Sequence, residues 1–138
     1  MDQRISFLTL AVGDVARSRA FFVDGLGWEE SLYVPGEVLM LAVGEHVVLS
    51  LWDRAAFEEE VGPIATGPGL APMTIAHNVA SPAEVDAVLA VAAAAGATVR
   101  SPGTQREWGG YSGYFLDLDG FAWEIAFNPG PIGASVLP

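Results

Sequence analysis

Hydrophobic residues along this chain fall into blocks of two different periods, and the blocks come in the same order twice. In ISFLTLAV, Ile5 to Val12, strand-forming residues alternate as they do in a half-buried strand. Asp14 then stands as an N-cap before VARSRAFFVDGLG, where Val15, Ala16, Arg19, Phe22 and Leu26 give a mixed helical pattern ending at Gly25 or Gly27. WEESLYV, EVLMLAVG and EHVVLSLWD follow as three successive antiparallel strands, the first two joined across a Pro35-Gly36 turn. A polar connection rich in Pro and Gly, Arg54 to Pro72, separates this block from the next.

The pattern restarts with MTIAHNVA, Met73 to Ala80. Ser81 takes the N-cap place, and Pro82 sits at the first helical position, where its missing N–H costs nothing. Glu84, three residues after Ser81, completes a capping box, and Gly96 stops the helix PAEVDAVLAVAAAAG. ATVRSP, YSGYFLDL and FAWEIAF then supply three more strands. Laying Val12 on Val79 brings Asp14 onto Ser81 and Phe7 onto Thr74, so the two helices begin at matching points. The sequence therefore predicts an internal repeat of strand, helix and three strands. The closing NPGPIGASVLP reads as an extended tail.

Composition narrows the class. With 138 residues, 51% of them apolar and 17% charged, the chain is expected to form one domain with a sizeable core. The absence of cysteine removes disulfides, thiolate zinc sites and thiol nucleophiles, and fits a cytoplasmic location. Met1 to Thr9 lacks the basic start and long apolar block of a signal peptide, and no later apolar run approaches a membrane span, so no membrane partner is expected. The net charge of -11, with arginine as the sole basic residue type, repels phosphate backbones and argues against nucleic acid as a partner.

A doubled module of this kind, with the turn Asp117-Leu118-Asp119-Gly120 leading into a strand that carries Glu124, resembles the vicinal oxygen chelate superfamily. That superfamily groups glyoxalase I, bleomycin-resistance proteins and extradiol dioxygenases. The matching pieces are FLTLAVGDVARSRAFFVDGLGW, the cap and helix after MTIAHNVA, and YFLDLDGFAWEIAF. In the family the turn usually reads Asp-Pro-Asp-Gly, and Leu118 replaces the proline here. The resemblance implies an α+β fold in which two βαβββ modules form a curled mixed sheet around a cleft. Module 1 would cover about 1–53, the connection about 54–72, module 2 about 73–128 and the tail 129–138 of a single domain, 1–138. It also implies a homodimer and a metal in the cleft that chelates two neighbouring oxygens of a substrate.

The residues at the implied metal positions are Phe7, Ser50, Thr74 and Glu124. A phenylalanine, two neutral hydroxyls and one carboxylate make a poor ligand set for a divalent transition metal, so neither a metal nor another cofactor is expected. Strand alternation assigns Trp123, Ile125 and Phe127 to the helix side and leaves Ala122, Glu124 and Ala126 facing the cleft. His77 has the opposite parity to Thr74 and reads as a hydrogen-bonded residue of the helix layer, while His46 begins its strand too far from Ser50 to complete a site. Trp28 and Trp123 read as core.

What remains is a cavity with one acid and many aromatics. Trp108 and Tyr111 flank Gly109 and Gly110, and with Tyr114, Phe7 and Trp52 they are expected to wall the cleft, into which Asn78 points an amide. The expected function is a small-molecule-binding protein with a degenerate metal site, holding an aromatic or cationic compound in an acidic, aromatic-lined cleft. An alternative is a metal-independent lyase or isomerase, with Glu124 as general acid or base and Ser50, Thr74, Asn78 or Tyr114 donating to a substrate oxygen. A third reading, a metal-dependent enzyme of the glyoxalase or dioxygenase kind, requires ligands that the mapped positions lack.

Overall fold

Both predicted repeats form, each as its own compact unit. The computed structural model describes residues 1–138, with one unit over Met1–Gly67 and the other over Pro68–Pro138. The first unit contains β1 (Phe7–Val12), α1 (Val15–Arg19), β2 (Leu32–Val34), β3 (Val38–Gly44), β4 (Val47–Asp53) and α2 (Arg54–Glu60). The second contains β5 (Ile75–Asn78), α3 (Pro82–Ala94), β6 (Thr98–Gln105), β7 (Tyr111–Leu116), β8 (Ala122–Phe127) and α4 (Pro131–Ser135). Each unit builds a four-stranded mixed sheet, ordered β1-β4-β3-β2 in the first and β5-β8-β7-β6 in the second. In both, the first strand runs parallel to the last and the others pair antiparallel. This is an α+β arrangement of two βαβββ modules.

In the first sheet Leu10 pairs with Leu51, which pairs with Leu39, and all three are buried. The helix covering this sheet begins at Asp14, whose side chain accepts the Arg17 N–H at 3.0 Å, and passes into a π-helical segment over Ala20–Gly25. Neighbouring side chains diverge less in a π turn than in an α turn. Phe21 and Phe22 are accordingly both buried although consecutive, their rings meeting edge-on at 4.9 Å.

In the second unit Ser81 caps α3 by accepting the Glu84 N–H at 3.3 Å, and the Glu84 carboxylate accepts the Ser81 hydroxyl at 3.0 Å and the Ala80 N–H at 3.1 Å. Val85, Leu89 and Ala92, spaced four and three apart, are the buried stripe of this helix. Gly113 lies beneath it: a Cβ there would sit 2.6 Å from Leu89 Cδ1, so the missing side chain sets how closely helix and sheet approach. Between β7 and β8 the Asp117 carboxylate accepts the N–H groups of Asp119 and Phe121, both at 3.0 Å, and the Trp123 indole N–H at 3.1 Å. Burial still pushes the Asp117 carboxyl up from its usual range, against the pull of those three donors.

Several sequence expectations are corrected. Part of the connection from Arg54 to Pro72 is a helix, Arg54–Glu60, because Asp53 caps it through a 3.0 Å bond from the Ala56 N–H and Phe57 packs on Trp52. The strand expected at ATVRSP, Ala97 to Pro102, runs on to Gln105, so the segment joining it to β7 is shorter than the sequence suggests. The expected extended tail contains α4, with Pro131 in its first turn. No helix is long and apolar enough to cross a membrane.

Candidate functional site

β7 and β8 set Tyr114 directly opposite Glu124. Residues paired across a ladder share a face, and alternation carries Ser112, Tyr114 and Leu116 onto one face together with Ala126, Glu124 and Ala122. The other face, packed under α3, holds Gly113, Phe115, Trp123 and Ile125, with the rings of Phe115 and Trp123 stacked at 6.0 Å. On the open face the Tyr114 hydroxyl donates to Glu124 Oε1 at 2.7 Å. Ala76, the ladder partner of Glu124 on its other side, and Ala126 are small, which leaves space around the carboxylate.

A cation completes this group. Arg106, in the loop after β6, donates from Nε to Ser112 Oγ and from Nη2 to the Ser112 carbonyl, both at 2.9 Å. Its guanidinium lies over the Tyr114 ring, 5.6 Å from the centroid. Burial, and then the bond and charge of Glu124, raise the Tyr114 pKa above its ordinary value, while Ser112 and Arg106 pull the other way. Tyr114 is therefore a phenol at neutral pH and a hydrogen-bond donor to Glu124.

A cavity of about 560 Å³ opens beside this pair, lined by Leu70, Thr74, Arg100, Ser101, Tyr114 and Ala122. Arg100 reaches it through an irregularity in β6: Val99 pairs with Phe115 and Ser101 with Tyr114, so Arg100 is an extra residue in the ladder. Such a bulge re-aims the side chains around it.

The expected site residues divide by unit and by face. Tyr114 and Thr74 line the cavity, and Asn78, paired with Ala126, lies on the face of Glu124. Tyr111 does not join them. It stands three residues from Tyr114, hence on the opposite face, where its hydroxyl donates to Asp86 Oδ1 of α3 at 3.0 Å. Trp108 occupies the tip of the β6–β7 hairpin, 54% exposed, with its indole over the position a Gly110 Cβ would take. The turn beneath it is closed by the Gly109 N–H to the Arg106 carbonyl at 3.0 Å, with Gly109 at φ 92°. In the first unit Phe7, Ser50 and Trp52 share one face of the sheet. Phe7 is exposed, Ser50 is buried, and Trp52 meets Phe57 edge-on at 5.8 Å.

His77 pairs with Ile125 and so has the helix-side parity expected of it, but it is exposed and its side chain makes no hydrogen bond, against the expectation of a hydrogen-bonded residue of that layer. His46 lies exposed in the β3–β4 turn, 3.9 Å from Glu45. Nowhere do three or more His, Cys, Asp or Glu side chains gather as a metal would need. Sequence reasoning missed Arg100, Ser101 and Arg106. The only signal for the two arginines was the scarcity of cations, six arginines against 17 acidic residues, and Ser101 had none.

Known proteins with this arrangement are numerous. The profile of the Glyoxalase/Bleomycin resistance protein/Dioxygenase superfamily matches residues 4–125. A glyoxalase-related enzyme from Fulvimarina pelagi is 35% identical, with 92% of this chain and 89% of that chain covered and a TM-score of 0.83. A glyoxalase/bleomycin resistance protein/dioxygenase from Nocardioides is 28% identical over 94% of this chain and 89% of that one, with a TM-score of 0.75. Lactoylglutathione lyase from Agrobacterium tumefaciens, 23% identical over 92% of this chain and 95% of that one, shares the fold with a TM-score of 0.67. No curated protein is a significant match. With its doubled βαβββ module and a profile match over nearly its whole length, the chain belongs to the glyoxalase/bleomycin resistance protein/dioxygenase superfamily.

Proposed function

We propose that this chain is a small-molecule-binding member of its superfamily with a degenerate metal site, and that Glu124 anchors a cationic or donor group of an aromatic ligand. The observation that carries this reading is the Tyr114–Glu124 hydrogen bond of 2.7 Å on the face that borders the cavity. Tyr114 fixes one carboxylate oxygen and offers ring surface, leaving Oε2 to accept from a ligand. The donor set at the family's metal positions does not fit a divalent metal. Phe7 offers no lone pair, Ser50 and Thr74 offer neutral hydroxyls, and the one carboxylate, Glu124, already holds a phenol. The same reading carries a homodimer, which the native mass in solution would test.

The test is a titration with benzylamine and larger cationic aromatics, followed by tryptophan fluorescence. Saturable binding, recovery of unchanged compound and loss of affinity in Glu124→Gln are expected. Turnover of the compound that disappears in Glu124→Gln would instead establish the second reading, a metal-independent lyase or isomerase. One observation favours that alternative: the Tyr114 phenol stands beside the carboxylate, where a proton donor would pair with a general base. The relative from Fulvimarina pelagi, described as an enzyme, points the same way.

A further inference from the structure

The cation at the cavity has no partner. The Arg100 guanidinium makes no hydrogen bond or ion pair within the protein, although the chain carries 17 acidic residues and only six arginines. In so acidic a chain an arginine has many carboxylates to meet, and Arg4 and Arg19 do pair with Asp2 and Glu30; Arg54 is also without a partner, but it does not line this cavity. Arg100 is instead the extra residue of a bulge at the cavity wall, beside the Ser101 and Thr74 hydroxyls. A guanidinium with free donors and neighbouring hydroxyls is chemically suited to a planar oxyanion, which it grips through two parallel N–H bonds.

We infer that the cavity takes the carboxylate of an aromatic monocarboxylic acid, with Arg100 as the specificity-determining partner. This deepens the reading of the same site given above, because Glu124 and Arg100 then recognise opposite ends of one ligand. The apolar body lies against Leu70, Ala122 and the Tyr114 ring. Charge selects a monoanion over a phosphate ester. One guanidinium offsets one negative charge, and a second would meet the field of a chain with net charge -11. A zwitterion such as 4-(aminomethyl)benzoate satisfies both ends.

Ligand-observed NMR on the full chain with benzoate, benzylamine, 4-(aminomethyl)benzoate and phenyl phosphate tests this. Benzoate is expected to bind, phenyl phosphate more weakly, and the zwitterion more tightly than either benzoate or benzylamine. Arg100→Gln should weaken benzoate about tenfold, as expected for losing a charged hydrogen-bond pair, and should not weaken benzylamine, whose ammonium the guanidinium repels. Arg100→Lys, which keeps the charge and loses the fork, should fall between. Equal benzoate affinity in the native chain and Arg100→Gln, or tighter phenyl phosphate than benzoate, overturns the inference. If benzylamine binds through Glu124 while benzoate does not bind, the inference fails and the proposed function stands. If neither probe binds, both fall.

Discussion

The two units place different chemistry at the same points of the same scaffold. In the first, Ser50 pairs with Thr9 and is followed by Leu51, and Phe7 lies two residues before Thr9. In the second, Glu124 pairs with Ala76 and is followed by Ile125, and Thr74 lies two residues before Ala76. Leu51 and Ile125 are both fully buried, so the covered faces of the two sheets obey one rule. The opposite faces do not: Ser50 is a buried hydroxyl, whereas Glu124 is a half-buried carboxylate held by a phenol. The duplicated half of each strand is the half that packs. The other half is where the copies have diverged.

The strongest check on this comparison is a matched pair of core truncations. Leu51→Ala and Ile125→Ala should each lower unfolding stability by about 2–5 kcal/mol, measured by urea denaturation. A loss below about 1 kcal/mol at either position would break the equivalence of the two covered faces. A smaller effect is expected at the matching helix starts. Asp14→Ala and Ser81→Ala should each cost about 1 kcal/mol, since each leaves an N-terminal N–H without its partner. Ser81→Ala should be the larger, because Ser81 also donates to Glu84.

The smallest effect separates the open faces. Burial and Glu124 raise the Tyr114 pKa in the folded chain above its unfolded value. Its contribution to stability is therefore fully present below the unfolded pKa of about 10 and is lost as pH rises through the folded one. Spectroscopic titration of Glu124→Gln should show the Tyr114 ionisation moving down, still above the ordinary value because burial remains. An unmoved titration would mean that the Tyr114–Glu124 bond is not held in solution.

Much of the scaffold could be read from spacing alone. Asp14, the Ser81-Pro82-Glu84 start and the Asp117-to-Gly120 turn are local signals, and each forms the local structure its residue types favour. Helix α2 escaped because its residues, RAAFEEE, show no apolar stripe, although Asp53 stood in the N-cap place. Tyr111 was grouped with Tyr114 by composition, when their odd spacing already put them on opposite faces of a strand. Arg106 could not be found by periodicity, since its contact with Ser112 and Tyr114 depends on how a loop folds back. Arg100 was hidden for a related reason. A bulge is an exception to alternation, and the one local sign of it, Pro102 inside the strand, marks an irregular edge without saying which residue is the extra one.

That bulge has a meaning for inheritance as well. Position 100 stands outside the ladder, between two pairs, Val99 with Phe115 and Ser101 with Tyr114, whose register does not depend on its side chain. Its side chain is exposed and makes no hydrogen bond or ion pair. Descendants of this chain can exchange that residue without relearning how to fold, so the chemistry offered at this edge is free to drift faster than the architecture that carries it.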